Sequence, residues 1–138
     1  MKYLNEPIYV FWACLLGHLI ADFCLQGCLA NLKQKDWWDE QIKEMKKKYG
    51  DEVNWEKYKN DYFMGGVCHA LMWSIITFLP MLPTLSPIVW SYFVLFNWVI
   101  HYIIDDQKAN RKKITLEQDQ QLHFAQIVIS LVIWGILR

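Results

Sequence analysis

The sequence predicts an all-α fold: a four-helix transmembrane bundle with a cytoplasmic interfacial helical loop between the first and second helices. Three observations predict it. The 138-residue chain is 54% hydrophobic and only 20% charged, with 8 Trp, which is more apolar than ordinary soluble domains. Its charge is segregated, because residues 33–61 and 105–118 carry twelve of the fourteen basic residues. What remains is four apolar runs, each close to the ~17–25 residues a helix needs to cross a bilayer. The length fits one domain, so residues 1–138 are read as a single integral membrane domain.

The first helix is expected over about 7–32, interrupted by His18, Asp22 and Gln26. The second covers about 63–82 and holds His69. Its Gly65-Gly66 pair suits close packing better than phosphate binding. The third covers about 88–105 with Asn97 and His101, and the fourth about 119–137 with His123, Gln126 and Ser130. Each run is apolar nearly all round, which fits lipid-facing helices better than amphipathic soluble ones. Pro87 suits the first turn of the third helix, and Pro80–Pro87 reads as a tight uncharged turn. In the long loop, Glu40/Glu44 and Lys43/Lys47 pair at helical spacing. Trp37, Trp38, Ile42, Met45 and Tyr49 give a partial apolar stripe. The loop therefore predicts an interfacial helix ended by Gly50-Asp51, with a second short helix within Val53–Asn60.

Lys and Arg counting places both charged stretches in the cytoplasm and both termini outside an inner (cytoplasmic) membrane. Tyr9, Trp12, Trp90, Tyr92 and Trp134 then fall near the outer interface, and Trp37, Trp38, Tyr62 and Phe63 near the inner one. Met1-Lys2 before an apolar run invites a signal-peptide reading, and Leu25-Gln26-Gly27-Cys28 a lipoprotein box. Cleavage is not expected, because His18 and Asp22 interrupt the stretch. The four Cys fall in apolar runs and are read as small buried thiols without disulfides. Zero formal charge removes the electrostatic case for nucleic-acid binding. The lipid bilayer is the expected partner. A thin bundle leaves room for a homodimer, and the 33–61 loop for a soluble partner.

The polar residues at membrane depth carry the chemistry. A charge there costs a few kcal/mol unless it is paired or functional. Each predicted helix holds one His, and three have an Asp one turn away: His18/Asp22, His101/Asp105 and Asp119/His123. Alternating crossings bring these residues to one level in the inner half of the bilayer, with His18 the deepest. Imidazole plus carboxylate suits Zn, Mn or Fe, and helical bundles build such sites from ligands on facing helices. The metal ligands are expected among His18, His69, His101, Asp105, Asp119 and His123, for one or two divalent ions. Asp22 and Asp105 are candidate bases or hydrogen-bond partners of a ligand imidazole. Lys108 is a candidate for steadying a phosphate or a developing anion, and Gln26 and Gln120 for orienting substrate or water.

These motifs resemble the domain-of-unknown-function 3307 family of small bacterial and phage membrane proteins. The resemblance rests on His18-x-x-x-Asp22-x-x-x-Gln26, Lys33 or Lys35, His69, His101-x-x-x-Asp105-x-x-Lys108 and Asp119-Gln120-x-x-His123. It spans nearly the whole chain except most of residues 37–60, and it implies no established activity. A looser likeness is to bacterial membrane-bound metal-dependent hydrolases. The leading expectation is a metal-dependent hydrolase whose lipid-linked or phosphoester substrate enters at the inner interface. The alternatives are a proton or metal-ion conduit, and a non-catalytic scaffold or phage-encoded effector whose polar seams hold helices together.

Overall fold

The computed structural model describes residues 6–50 and 53–138. Met1, Lys2 and Asp51, which entered the signal-peptide and loop readings, lie outside them. All regular structure among the described residues is helical: α1 (Pro7–Leu19), α2 (Leu29–Leu32), α3 (Lys35–Tyr49), α4 (Asp61–Phe78), α5 (Pro87–Ala109) and α6 (Leu116–Leu137). Four spans are long and apolar enough to cross a membrane: Pro7–Cys24, Trp55–Thr84, Pro87–Ala109 and Leu116–Leu137. The second is the central one. Half of its apolar window is buried, against 22–33% for the others.

Chain chemistry sets most of the helix ends. Pro7 and Pro87 sit in first turns, where a missing N–H costs nothing. Ser86 caps α5 by accepting from the Val89 N–H at 3.3 Å. Helix α6 begins three residues before the expected 119, because Thr115 and Gln118 form a reciprocal capping box. Their bonds are Gln118 N–H to Thr115 Oγ1 at 3.2 Å and Thr115 N–H to Gln118 Oε1 at 2.9 Å. Helix α5 runs one turn past the expected 105, to Ala109, and so takes in Asp106 and Lys108 as well. At the second span, α4 gives way after Phe78 to a 3-10 stretch, Leu79–Thr84, because Pro80 and Pro83 cannot continue an α-helical ladder.

The first span departs most from expectation. The run expected to 32 is helical only to Leu19, widens into a π-turn over Ile20–Cys24, and breaks before α2. Gly27 makes the break possible with φ 46°, a backbone region glycine enters without steric cost. Beyond it, α3 forms as expected, and the short helix within 53–60 is a 3-10 turn, Trp55–Tyr58.

Burial differs from that of a soluble protein, because the interior mixes apolar with polar and charged side chains while the outside is apolar. Trp73, Phe78, Met81 and Ile127 pack the interior without exposure. Alongside them are buried His18, Asp22, Lys33, Asn97, Asp119 and Gln126. Outside, Trp12 (59% exposed), Phe96 (58%) and Val132 (62%) face away from the protein. Polar groups inward and greasy groups outward is the pattern demanded by a hydrocarbon solvent. Two sequence expectations fail on burial. Trp134 is not an interface anchor, because it is 1% exposed and donates to Thr84 Oγ1 at 2.7 Å. Among the cysteines only Cys14 is buried, while Cys24, Cys28 and Cys68 are exposed, and all four are free thiols.

Candidate metal centre

Four elements bring the centre together. The π-turn presents Asp22, and the Leu25 N–H bonding to Ile20 O at 2.8 Å marks the widened ring. Such turns recur at functional sites because they re-aim a side chain that a regular helix would hold elsewhere. Helices α4, α5 and α6 present His69, His101 with Asp105, and Asp119 with His123. Helix α2 folds back against α4 at Gly65, where a Cβ would lie 2.5 Å from Leu32 O. This close approach carries Lys33 into the interior. Asn110, at the end of α5, clamps the same segment by donating to Lys33 O at 3.2 Å and accepting from the Lys35 N–H at 2.8 Å.

His69, His101, His123 and Asp119 are fully buried, and Asp22 and Asp105 nearly so. Two groups have ligand atoms within 4.8 Å of one another: Asp22, His69 and His101, and His101, Asp105 and His123. In the first, His69 Nε2 lies 3.3 Å from Asp22 Oδ1 and 3.4 Å from His101 Nε2. Asp105 Oδ2 joins them at 3.2 Å from His69 Nε2 and 3.8 Å from His101 Nε2, and Asp22 Oδ1 stands 4.0 Å from His101 Nε2. In the second, His123 Nε2 is 3.4 Å from both Asp105 Oδ1 and Asp119 Oδ1. His101 Nδ1 faces His123 Nδ1 at 3.2 Å. Asp105 therefore straddles the two groups with its two oxygens.

Several of these atoms are short of hydrogen bonds. Asp22 Oδ1, Asp119 Oδ1 and His123 Nε2 are buried with no hydrogen-bond partner among the described residues. An orphaned buried polar atom costs about 1–3 kcal/mol, so the arrangement is incomplete as a hydrogen-bond network and leaves donor atoms that could hold an ion. Imidazole nitrogens and carboxylate oxygens suit Zn, Mn and Fe.

The remaining expected residues surround this core. His18 stands outside both groups. Its Nδ1 accepts from Trp73 Nε1 at 2.9 Å and lies 3.4 Å from Asp22 Oδ2. Trp is donor-only, so a neutral His18 carries its proton on Nε2. Lys108 Nζ donates to Asp119 Oδ2 at 2.7 Å, and Gln120 Nε2 donates to Asp119 Oδ2 at 3.1 Å and Asp22 Oδ2 at 3.5 Å. Gln26 turns its carboxamide oxygen to Lys33 Nζ at 2.6 Å and its nitrogen to Asp22 O at 3.3 Å, as a donor-only ammonium requires.

Two residues have roles that the sequence reading did not assign. Lys33, 6% exposed, donates to Asp105 Oδ2 at 2.6 Å. In sequence it enters, as Lys33 or Lys35, only as part of the family resemblance, and the fold-back at Gly27 buries it. Trp73 stacks on His101, with ring centroids 4.0 Å apart and planes at 12°, while its N–H holds His18. The signal available was its position one turn after His69. No protein-family model, curated protein or solved structure matches this chain.

Proposed function

We propose that this chain is a multi-pass inner-membrane protein that binds a divalent cation and hydrolyses a membrane-associated phosphoester. The carrying observation is the cage formed by Asp22 Oδ1, His69 Nε2, His101 Nε2 and Asp105 Oδ2. Bonds of about 2.0–2.1 Å to a tetrahedral ion separate its ligand atoms by roughly 3.4 Å. Three of the measured separations are 3.2–3.4 Å and two are 3.8–4.0 Å. A contraction of a few tenths of an ångström at His101 brings these five separations to that value.

Charge supports both the ion and the substrate class. Within the cluster, Asp22, Asp105 and Asp119 face the ammonium groups of Lys33 and Lys108, leaving one excess negative charge if the imidazoles are neutral. A single divalent ion turns that excess positive and suits an anionic ligand. Such an ion supplies Lewis acidity and an acidified water. His123, flanked by Asp105 and Asp119, is placed to handle the proton. Gln26 and Gln120 orient the water or substrate, and Lys33 and Lys108 balance phosphate charge. The charged end of the bundle, with residues 33–61, lies in the cytoplasm in this reading, and membership of the domain-of-unknown-function 3307 family belongs to the same proposal.

Elemental analysis of detergent-purified protein, never exposed to chelator, tests it. About one Zn, Mn or Fe per chain is expected, together with metal-dependent phosphate release from phosphatidic acid in mixed micelles. A metal content far below one per chain removes the proposal. The Lys33–Asp105 contact favours a second reading, a purely structural polar network, because the ammonium already occupies the cage oxygen. That reading expects Asp105→Asn to weaken folding in protein that never held metal.

A further inference from the structure

His69, His101 and His123 form a chain of ring-to-ring contacts, and those contacts fix where the hydrogens go. A neutral imidazole has one N–H and one lone pair. His69 Nε2 lies 3.3 Å from Asp22 Oδ1 and 3.2 Å from Asp105 Oδ2, so without an ion it presents its hydrogen to these carboxylates. His101 Nε2, 3.4 Å from the same nitrogen, is then left with the lone pair, and the His101 hydrogen is on Nδ1. That nitrogen faces His123 Nδ1 at 3.2 Å, so His123 accepts there and carries its own hydrogen on Nε2. Its surroundings agree. His123 Nε2 stands 3.4 Å from both Asp105 Oδ1 and Asp119 Oδ1, where a bare lone pair would meet two carboxylates. A flipped His101 ring would put carbon atoms on both of its contacts.

We propose that His123 holds no ion: it is a positioning residue that fixes the tautomer of His101, and the centre therefore takes one ion rather than two. An ion among Asp22, His69, His101 and Asp105 needs the His101 Nε2 lone pair, which this row of hydrogens has already turned toward it. The ion displaces the His69 Nε2 hydrogen and leaves the rest of the row as it was. The other ligand group, His101, Asp105 and His123, then stays empty. His101 has given its single lone pair, and that of His123 is spent on the His101 N–H. At the far end Asp119 Oδ1, otherwise without a partner among the described residues, receives the His123 hydrogen. Lys108 Nζ holds the other Asp119 oxygen at 2.7 Å. Outer partners that fix a ligand imidazole in this way are typically worth about 10–100-fold in metal affinity. His69 Nδ1 has no such partner among the described residues, so this support falls on His101. The ion belongs to the metal reading proposed above, whereas the placement of the hydrogens does not depend on it.

Nitrogen-15 spectra of the imidazoles test this. The full-length chain, labelled with nitrogen-15 histidine and purified in detergent micelles, gives four ring systems, assigned from the backbone. In metal-free protein His101 should be protonated at Nδ1 and bare at Nε2, and His123 the reverse. With excess cadmium-113, one ion per chain should couple to Nε2 of His69 and of His101 and to no nitrogen of His123. His123→Phe should weaken cadmium binding roughly 10–100-fold. His123→Asn, whose carboxamide oxygen can accept in place of Nδ1, should recover most of that loss, which a lost ligand would not allow. Cadmium coupling to His123, a second bound ion, or a hydrogen on His123 Nδ1 overturns the proposal, and the wild-type spectra decide this even if a variant fails to fold. No bound cadmium with these tautomers in place refutes the metal reading and still supports His123 as the partner that fixes His101. The opposite tautomers in protein that binds one ion refute the role of His123 alone.

Discussion

Asp105 divides two carboxylate oxygens among Lys33, His69 and His123, and the sharpest residue-scale predictions follow from that crowding. His101→Ala removes a side chain that belongs to both ligand groups; bound metal falls at least ten-fold by elemental analysis while helicity holds. Lys33→Met strips Asp105 of its counter-charge, and breaking a buried ion pair costs about 3–5 kcal/mol. Metal-free protein should lose thermal stability in detergent by that order. Zinc should restore much of the loss, because the ion replaces the missing positive charge. His18, His69, His101 and His123 with their aspartates were legible in the sequence, since one-turn spacing in an apolar run carries its own signal. The removal of His18 from the ligand groups was not, because it depends on Trp73, 55 residues away along the chain, reaching its Nδ1 across α1 and α4.

Helices were easier to find than their ends. Apolar length announces a span, but a boundary is set by local chemistry that hydropathy ignores. Thr115 with Gln118 starts α6 early, and Pro80 ends α4 early. Thr115→Ala should cost about 1 kcal/mol, the usual worth of an N-cap, seen as a lower unfolding midpoint with metal content unchanged. The break after Cys24 was hidden for a different reason: Leu25–Leu32 is greasy enough to continue a helix, and the tertiary contacts at Gly65 and Asn110 make the fold-back preferable. Gly65→Ala should test that. Its methyl group would meet backbone rather than a yielding side chain, so α2 must move. We expect about 1–3 kcal/mol of destabilisation, together with weaker metal binding as Lys33 leaves its seat.

At the scale of the whole molecule, an apolar exterior around an interior that mixes apolar and charged side chains marks a multi-pass membrane protein, and the apolar excess, segregated charge and four apolar runs made this readable in the sequence. In the proposed orientation, four crossings put residues before Pro7 and after Leu137 outside the cytoplasm. Reporter fusions to the C-terminus should be active only outside the cytoplasm, and a probe inserted after Lys47 only inside it. The four spans are unequal, however, because the π-turn and Gly27 cut the first to 18 residues while Pro87–Ala109 keeps 23. At 1.5 Å per residue these reach about 27 Å and 34 Å, on either side of the ~30 Å hydrocarbon thickness. The bilayer must dimple around the shorter rod or the longer ones must lean, so the protein should be sensitive to acyl-chain length, most ordered at an intermediate thickness and strained in leaflets much thinner or thicker.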